Sequence, residues 1–245
     1  MANLIVDEGN TLCKIAVLDK SEVLCEWSDE EFDMAQAAAL ISQFSIDKAI
    51  VASTRGGAEK ICNELQNKID KVLHFTSQTE VPIEIEYASR QTLGTDRIAV
   101  AVGVVCEMGI KDALVIDMGS AITFDSIEDG VFKGGNISLG VAMRFRALHE
   151  FTAALPLCHS TEPTEEFGRS TTEAIEQGVM QGVLHEIEGY VERVSKKNVK
   201  KSLIFCGGDA ESFVNRIKSA IFAPRKLMFT GLNRILEYNV SKGNI

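Results

Sequence analysis

The chain has 245 residues, 45% apolar and 24% charged, which are ordinary proportions for a soluble globular protein. Its 25 Lys and Arg stand against 35 Asp and Glu, a formal net charge of −10. These values exclude collagen-like, disordered and disulfide-scaffold classes, and argue against a protein that wraps nucleic acid or lies on an anionic membrane. They leave room for one polyanionic small molecule held by backbone amides. Cys13, Cys25, Cys62, Cys106, Cys158 and Cys206 form no C-x-x-C pair and no regular spacing, a pattern suited to a reducing compartment. The adjacent Cys158-His159 pair falls far short of a zinc site. MANLIVDEGN shows no secretory signal, and the longest apolar run, Ile98 to Cys106, is too short to span a bilayer. A cytoplasmic protein is expected.

In chain order, Leu4–Val6 and Leu12–Leu18 read as strands joined across Asp7-Glu8-Gly9-Asn10-Thr11, and Glu22–Trp27 as a third strand. An acidic helix follows near Glu30–Phe44, then a buried strand at Ile46–Val51 and a helix at Gly57–Ile69. After Pro82 an alternating strand is expected at Ile83–Tyr87. Thr95 is placed to cap an apolar helix from about Asp96 to Met108. The second half restarts with strands at Ala113–Ile116 and Ile122–Ile127, and Asp129-Gly130 predicts a hairpin into Val131–Ile137. Helices at Val141–Glu150 and Thr171–Ser195, a strand at Leu203–Phe205 and a helix after Asp209 complete the pattern. This is α/β or α+β layering, with a close boundary near residues 109–112 and halves at 1–111 and 112–245.

The two halves echo one another. Leu4-Ile5-Val6-Asp7-Glu8-Gly9-Asn10 and Leu114-Val115-Ile116-Asp117-Met118-Gly119-Ser120 match in identity or character except where Glu8 faces Met118. They lie about 110 residues apart, too far for a solenoid repeat, so a duplicated domain explains them better. Each loop carries parts suited to phosphate: a glycine that lets backbone N–H groups approach anionic oxygens, a hydroxyl at Thr11 or Ser120, and the Lys14 cation. The aspartates make sense as holders of a cation such as Mg²⁺ through water, between carboxylate and phosphate. Neither a P-loop nor a Rossmann glycine fingerprint occurs. Either loop alone also reads as a tight turn with a capping Asp.

These loops resemble those of the superfamily that joins acetate and sugar kinases, actin and the ATPase domain of heat-shock chaperones. Within it the sequence is most similar to type III pantothenate kinases. The carrying motifs are Asp7-Glu8-Gly9-Asn10-Thr11-Leu12-Cys13-Lys14, YASRQTLGTDR over Tyr87–Arg97, DMGSAITFD, GGNISLG, TAALP at Thr152–Pro156, Thr171–Gly178, and Gly207-Gly208-Asp209. They run in order across nearly the whole chain. Departures are Glu8 in place of an apolar residue, Arg90 and Leu139 in place of Pro, and Ser120 in place of Thr. Arg55, after the strand ending at Val51, is an unexpected charge.

The resemblance implies two ribonuclease-H-like α/β halves of the actin-like ATPase kind with a nucleotide cleft between them. It implies transfer of the γ-phosphate of ATP to pantothenate, giving 4′-phosphopantothenate, the entry to coenzyme A synthesis. Asp7, Glu8, Gly9, Asn10, Thr11, Leu12, Cys13, Lys14 and Ser120 map to the ATP site. Asp117 maps to a monovalent cation, K⁺ or NH₄⁺, and Asp7 to Mg²⁺. Tyr87, Gly94, Thr95, Asp96, Arg97 and Thr171 map to the pantothenate site. Asp96 is expected to be the general base, and Arg97 to bind a substrate carboxylate or the transferring phosphate. Thr171 also reads as an ordinary helix cap. His74, His149, His159 and His185 are read as structural, and Trp27 as packing at a domain edge. A homodimer that completes the substrate pocket is implied too. Two alternatives stand beside this: a kinase for another small alcohol, and a non-catalytic nucleotide-binding relative acting through a protein partner. Glu8 favours the latter, while Asp96-Arg97 with Asp117 opposes it.

Overall fold

The computed structural model describes residues 2–162, 164, 167–196, 201–218, 220–223 and 226–245. In order the elements are β1 (Asn3–Glu8), β2 (Cys13–Asp19), β3 (Glu22–Asp29), α1 (Met34–Phe44), β4 (Lys48–Ser53), α2 (Ala58–Gln66), β5 (Lys71–His74), α3 (Thr95–Val102), β6 (Ala113–Met118), β7 (Ala121–Glu128), β8 (Val131–Leu139), α4 (Val141–Glu150), α5 (Thr171–Ser195), β9 (Ser202–Cys206), α6 (Glu211–Val214), β10 (Ala220–Phe222) and α7 (Lys226–Lys242). The strands form two sheets, ordered β3-β2-β1-β4-β5 and β10-β9-β6-β7-β8. Counted within its own sheet, each reads 3-2-1-4-5, one ribonuclease-H-like topology used twice. This is the structural form of the repeated Leu-x-x-Asp-x-Gly pattern.

By packing, the chain divides into a first unit of Met1–Lys111, Glu128–Lys133 and Arg225–Ile245 and a second of Asp112–Ile127 and Gly134–Pro224. The C-terminal segment thus joins the first unit rather than the residues that precede it in sequence. In the first unit, β1 is buried along almost its whole length because strands cover both its edges and helices lie on it. Its Leu4 and Val6 pack with Ile15, Val17 and Val51 and with Ala58, Ile61 and Leu65 of α2. Trp27 lies partly buried against this cluster. Edge strand β3 alternates exposed and half-buried residues, as a strand wetted on one face must. In the second unit, α5 lays Ile175, Val179, Val183 and Ile187 on the Ile116, Phe124 and Phe205 core, a helical spacing on one face.

The expected hairpin at Asp129-Gly130 is present, with φ of 52° and 80°, the left-handed pair that a tight two-residue turn needs. Several sequence expectations require correction. Ile83–Tyr87 is not a strand; Ile85 makes a single bridge to Phe132. The helix after Gly94 ends at Val102 and widens into a π-type turn over Gly103–Glu107, closed by the Met108 N–H on the Gly103 carbonyl at 3.1 Å. Strands β5 and β10 and helix α7 were not foreseen. His74 lies at the end of β5.

Helix α7 holds α3 in place. A Cβ on Gly231 would run into the Ala99 carbonyl oxygen and lie 2.9 Å from its carbon and 3.0 Å from the Gly103 nitrogen. One on Gly103 would lie 2.6 Å from the Leu227 carbonyl oxygen. A polar network fixes the same helix on the sheet. Asn3 Nδ2 donates at 2.7 Å to both Asn233 Oδ1 and Glu237 Oε1, Lys48 Nζ donates to Glu237 at 2.9 Å, and Asn239 Nδ2 donates to the Glu80 carbonyl at 2.9 Å. Overpacking a helix crossing typically costs about 1–3 kcal/mol, which exceeds the roughly 1 kcal/mol that alanine gains over glycine inside a helix. Gly231→Ala is therefore expected to destabilise the protein by about 2 kcal/mol. Equilibrium urea denaturation measures this, and a stabilised variant would show that α3 and α7 are not in close backbone contact.

Candidate active site

Asp7 and Glu8 end β1, and successive strand residues point to opposite faces, so their carboxylates diverge. Asp7 is buried, and Lys14, its cross-strand partner, brings Nζ to 4.0 Å from the carboxylate. The Gly9 N–H donates to the Leu12 carbonyl at 3.0 Å, closing a turn with Asn10 and Thr11 exposed at its tip. Cys13 is buried beneath it, and its thiol is pushed up to about 12 by burial first and then by the Glu8 and Asp7 charges. It is therefore an inert packing residue.

Glu8 takes the other direction. Its Oε2 accepts from the Ser53 hydroxyl at 2.5 Å and from the Gly57 N–H at 3.0 Å. Ser53 Oγ in turn accepts the N–H groups of Arg55, Gly56 and Gly57 at 3.1, 2.9 and 3.1 Å. The Arg55 guanidinium donates to the Glu30 carbonyl at 2.9 Å. The two charges that looked out of place in the sequence thus belong to one turn.

Helix α3 opens the second part of this unit. Gly94 occupies the cap position with no side-chain cap, so Thr95 is the first helical residue and not the cap expected. Asp96 lies in the first turn, where a carboxylate suits the helix dipole, and its Oδ1 accepts the Arg97 N–H at 2.8 Å. A side chain on Gly94 would strike that same oxygen. Arg97 is only 7% exposed, with its guanidinium carbon 5.8 Å from the Tyr87 ring centroid and 5.6 Å from that of Phe132. The two rings meet edge to face at 6.1 Å. Phe132 was absent from the sequence-derived site; it sits just past the Asp129-Gly130 turn and bridges to Ile85. Arg90, at a position expected to hold proline, donates from Nε to the Ser77 carbonyl at 2.9 Å and from Nη2 to the Thr79 carbonyl at 3.2 Å. Those bonds restrain the turn leading to Gly94 in another way.

In the second unit the loop after β6 repeats the first. The Gly119 N–H donates to the Ala121 carbonyl at 3.0 Å, and Ser120 is exposed. Backbone presses on this loop from two sides. A Cβ on Gly140, just before α4, would lie 2.5 Å from the Gly119 carbonyl oxygen. Gly207, at φ 93°, would place one 2.5 Å from the Met118 carbonyl carbon, and the Asp209 N–H donates to the Met118 carbonyl at 3.0 Å. Thr123, paired with Asp117, donates to the buried Asp125 at 3.1 Å. A cavity of about 270 Å³ nearby is lined by Phe145, Arg146, Cys158, His159 and Asp209 among others. Arg146 is held by Glu150 at 2.9 Å. Thr171 is exposed at the start of α5, and the cap is Ser170, whose Oγ accepts the Glu173 N–H at 3.2 Å. Gly140 and Ser53 were missed as site-shaping residues; a small residue at the end of a strand and just before a helix was the available signal.

The strand topology and the paired Asp-x-Gly loops define an α/β protein of the actin-like ATPase and sugar-kinase fold. Among solved structures, a Baf-family transcriptional activator protein of Campylobacter jejuni superimposes with a TM-score of 0.65 at 23% identity, covering 97% of this chain and 99% of that one. The activator of 2-hydroxyisocaproyl-CoA dehydratase from Clostridium difficile, with bound ADPNP, gives 0.59 at 14% identity, covering 100% and 98%. Both show the fold alone. Residues 3–193 match the type III pantothenate kinase family. The Type III pantothenate kinase of Bacteroides fragilis (strain YCH46) is 38% identical over 238 residues, covering 97% of this chain and 98% of its own. That of Porphyromonas gingivalis (strain W83) is 37% identical over 248 residues, covering 97% and 99%. The chain belongs to the type III pantothenate kinase family and is an enzyme, a kinase of coenzyme A biosynthesis.

Burial raises the Asp209 carboxyl above its ordinary aspartate value. The folded protein then holds this proton at pH values where the unfolded chain has released it, so stability falls as pH rises from the ordinary aspartate value through the raised one. Asp209→Asn should therefore melt higher than the parent at pH 7, with the gap closing toward pH 3. Melting curves across that range test the sign; a variant less stable at pH 7 would show that the ionised carboxylate is favourably bound.

Proposed function

We propose that the chain moves the γ-phosphate of ATP onto the primary hydroxyl of pantothenate with Asp96 as the general base. The observation that carries this reading is the disposition of Asp96: it lies in the first turn of α3, one carboxylate oxygen is spent on the Arg97 N–H, and the residue beside it is a buried cation. Asp96 takes the hydroxyl proton as that oxygen attacks the γ-phosphorus. The bond to the β–γ bridging oxygen breaks, and ADP leaves with the electron pair. Arg97, steadied by Tyr87 and Phe132, supplies positive charge for the pantothenate carboxylate or the transferring phosphate. Gly94, Thr95 and Thr171 are the remaining substrate residues in this reading. Asp7, Gly9 to Lys14 and Ser120 receive ATP, largely through backbone N–H groups of their glycine turns, with the Glu8 side chain turned away to Ser53 and Gly57.

Among the described residues no group of three or more His, Cys, Asp or Glu side chains could hold a metal ion. Mg²⁺ is ordinarily held by one or two carboxylates together with water and phosphate oxygens. Asp7 would hold Mg²⁺ through water and Asp117 a monovalent cation, K⁺ or NH₄⁺. Bound there, the cations neutralise charge on the phosphates. The alternative of a non-catalytic relative rested on Glu8 opposing nucleotide, and the bonding of Glu8 to Ser53 and Gly57 removes that support.

A homodimer and a cytoplasmic location are part of the proposal. Ile137 and Leu139 on β8 and Met143 and Phe151 around α4 are exposed, Phe151 to 85%. No helix among the described residues is long and apolar enough to cross a membrane. Phe151→Glu is expected to shift the protein toward monomer in sedimentation velocity; an unchanged sedimentation coefficient would remove this face from the interface. For the chemistry, Asp96→Asn should cut pantothenate-dependent ADP release by about 10³-fold while leaving ATP affinity unchanged. Retained turnover would remove Asp96 as base, and a wild-type enzyme that turns over another small alcohol but not pantothenate would overturn the substrate.

A further inference from the structure

Glu8 stands between Asp7 and the Gly9 turn, in the middle of the proposed phosphate loop. Its side chain continues the Leu4 and Val6 face of β1, the face that packs with Ala58, Ile61 and Leu65 of α2. In the parallel register of β1 with β4 its neighbour is Ser53. The result is four hydrogen bonds from the β4–α2 turn to this one residue: Ser53 hydroxyl and Gly57 N–H to Oε2, Thr54 N–H to the Glu8 carbonyl at 2.9 Å, and Thr54 hydroxyl to the same carbonyl at 3.3 Å. Gly57 precedes α2 and has no side chain with which to cap it. A Cβ there would lie 2.6 Å from Glu8 Oε1, so the carboxylate fills the space of the missing cap. Glu8 thus caps α2 from a neighbouring strand, where N–H groups and the helix dipole both favour an anion. Arg55, through Glu30, ties the same turn to the chain after β3.

We propose that Glu8 is a positioning residue for nucleotide binding, acting with Ser53 to moor the end of β1 to the β4–α2 turn and so hold Asp7 and the Gly9–Thr11 turn in their binding geometry. It does not itself meet the phosphates. This rests on the assignment of the Asp7 loop to ATP. Both side-chain bonds fall on one oxygen, so a glutamine with its amide oxygen there keeps them while losing the charge.

The test is ATP affinity by titration calorimetry, with KM for ATP and for pantothenate measured alongside, on wild type, Glu8→Gln, Glu8→Ala and Ser53→Ala. Positioning predicts that Glu8→Gln stays within about 3-fold of wild type for ATP. Glu8→Ala and Ser53→Ala should each weaken ATP about 10-fold, with KM for pantothenate unchanged. Tighter ATP binding in both Glu8 variants would mean that the carboxylate repels phosphate, and would overturn the proposal. Equal KM changes for both substrates, or none, would reduce Glu8 to a structural cap and overturn it as well. Ser53→Ala removes one hydroxyl and keeps the test open if Glu8→Ala fails to fold. A wild type that binds ATP but does not turn over pantothenate would sink the kinase reading alone, while turnover with unaltered ATP affinity in the variants would sink only this one.

Discussion

Each unit depends on one asymmetry of strand pairing: its first strand has an antiparallel neighbour on one side and a parallel neighbour on the other. The antiparallel partner follows directly, so the loop between them must be a tight turn, and both loops use glycine there. The parallel partner arrives by crossover, and its own following turn comes out at the same edge. Ser53–Gly57 therefore lies against the Asp7 loop, and Gly207–Asp209 against the Asp117 loop. Two turns rich in backbone N–H groups converge only where pairing changes sense, which is the edge at which open α/β sheets bind ligands.

An acidic chain can bind a polyanion because the contest is local. Asp7 and Glu8 are adjacent carboxylates at such an edge, yet the two-residue period of a strand sends them to opposite faces. Asp7 remains with Lys14 and Cys13 close by. Glu8 is satisfied by the Ser53 hydroxyl and a helix N-terminus, which are dipoles of the fold and need no countercharge. The formal charge of −10 therefore says little about the potential that a phosphate would meet at the loop.

How much of this was legible follows the same physics. The Asp-x-Gly echo, the Asp129-Gly130 hairpin and α5 were readable, because each is a local pattern of period, turn chemistry or cap. Glu8 was half readable: alternation sets it opposite Asp7, but its partner is a residue on β4 brought near by a crossover. Helix α7 escaped because Gly231, Asn233 and Asn239 interrupt its apolar stripe. Each interruption is a tertiary device, either a close backbone crossing or an amide bonded to distant chain. Thr95 looked like a cap by residue type, whereas Gly94 takes that position because the Asp96 carboxylate occupies the space a side chain would need. Phe132 could not be tied to Arg97 from sequence, since their contact is made across 35 residues of chain by tertiary packing, the bridge at Ile85 included.

The same bridge bears on how Asp96 is held. Taking a guanidinium out of water costs several kcal/mol. A cation over an aromatic face returns roughly 0.5–2 kcal/mol, so the two rings do not offset the burial of Arg97, and its further interactions must make up the difference. A side chain that needs several partners at once has few positions in which all are met, and this restrains the first turn of α3 more tightly than an apolar residue would. From the other side, Gly231 and Gly103 let α7 meet α3 and the π-type turn backbone to backbone, which leaves the helix little freedom to slide. Asp96, one residue before Arg97 and rotated about 100° from it around the helix, stays half-buried on a helix fixed at both ends. Proton transfer within hydrogen-bond reach demands that kind of fixity. The buried Arg97 is then better understood as a restraint on its neighbour, beside the substrate-facing charge proposed for it.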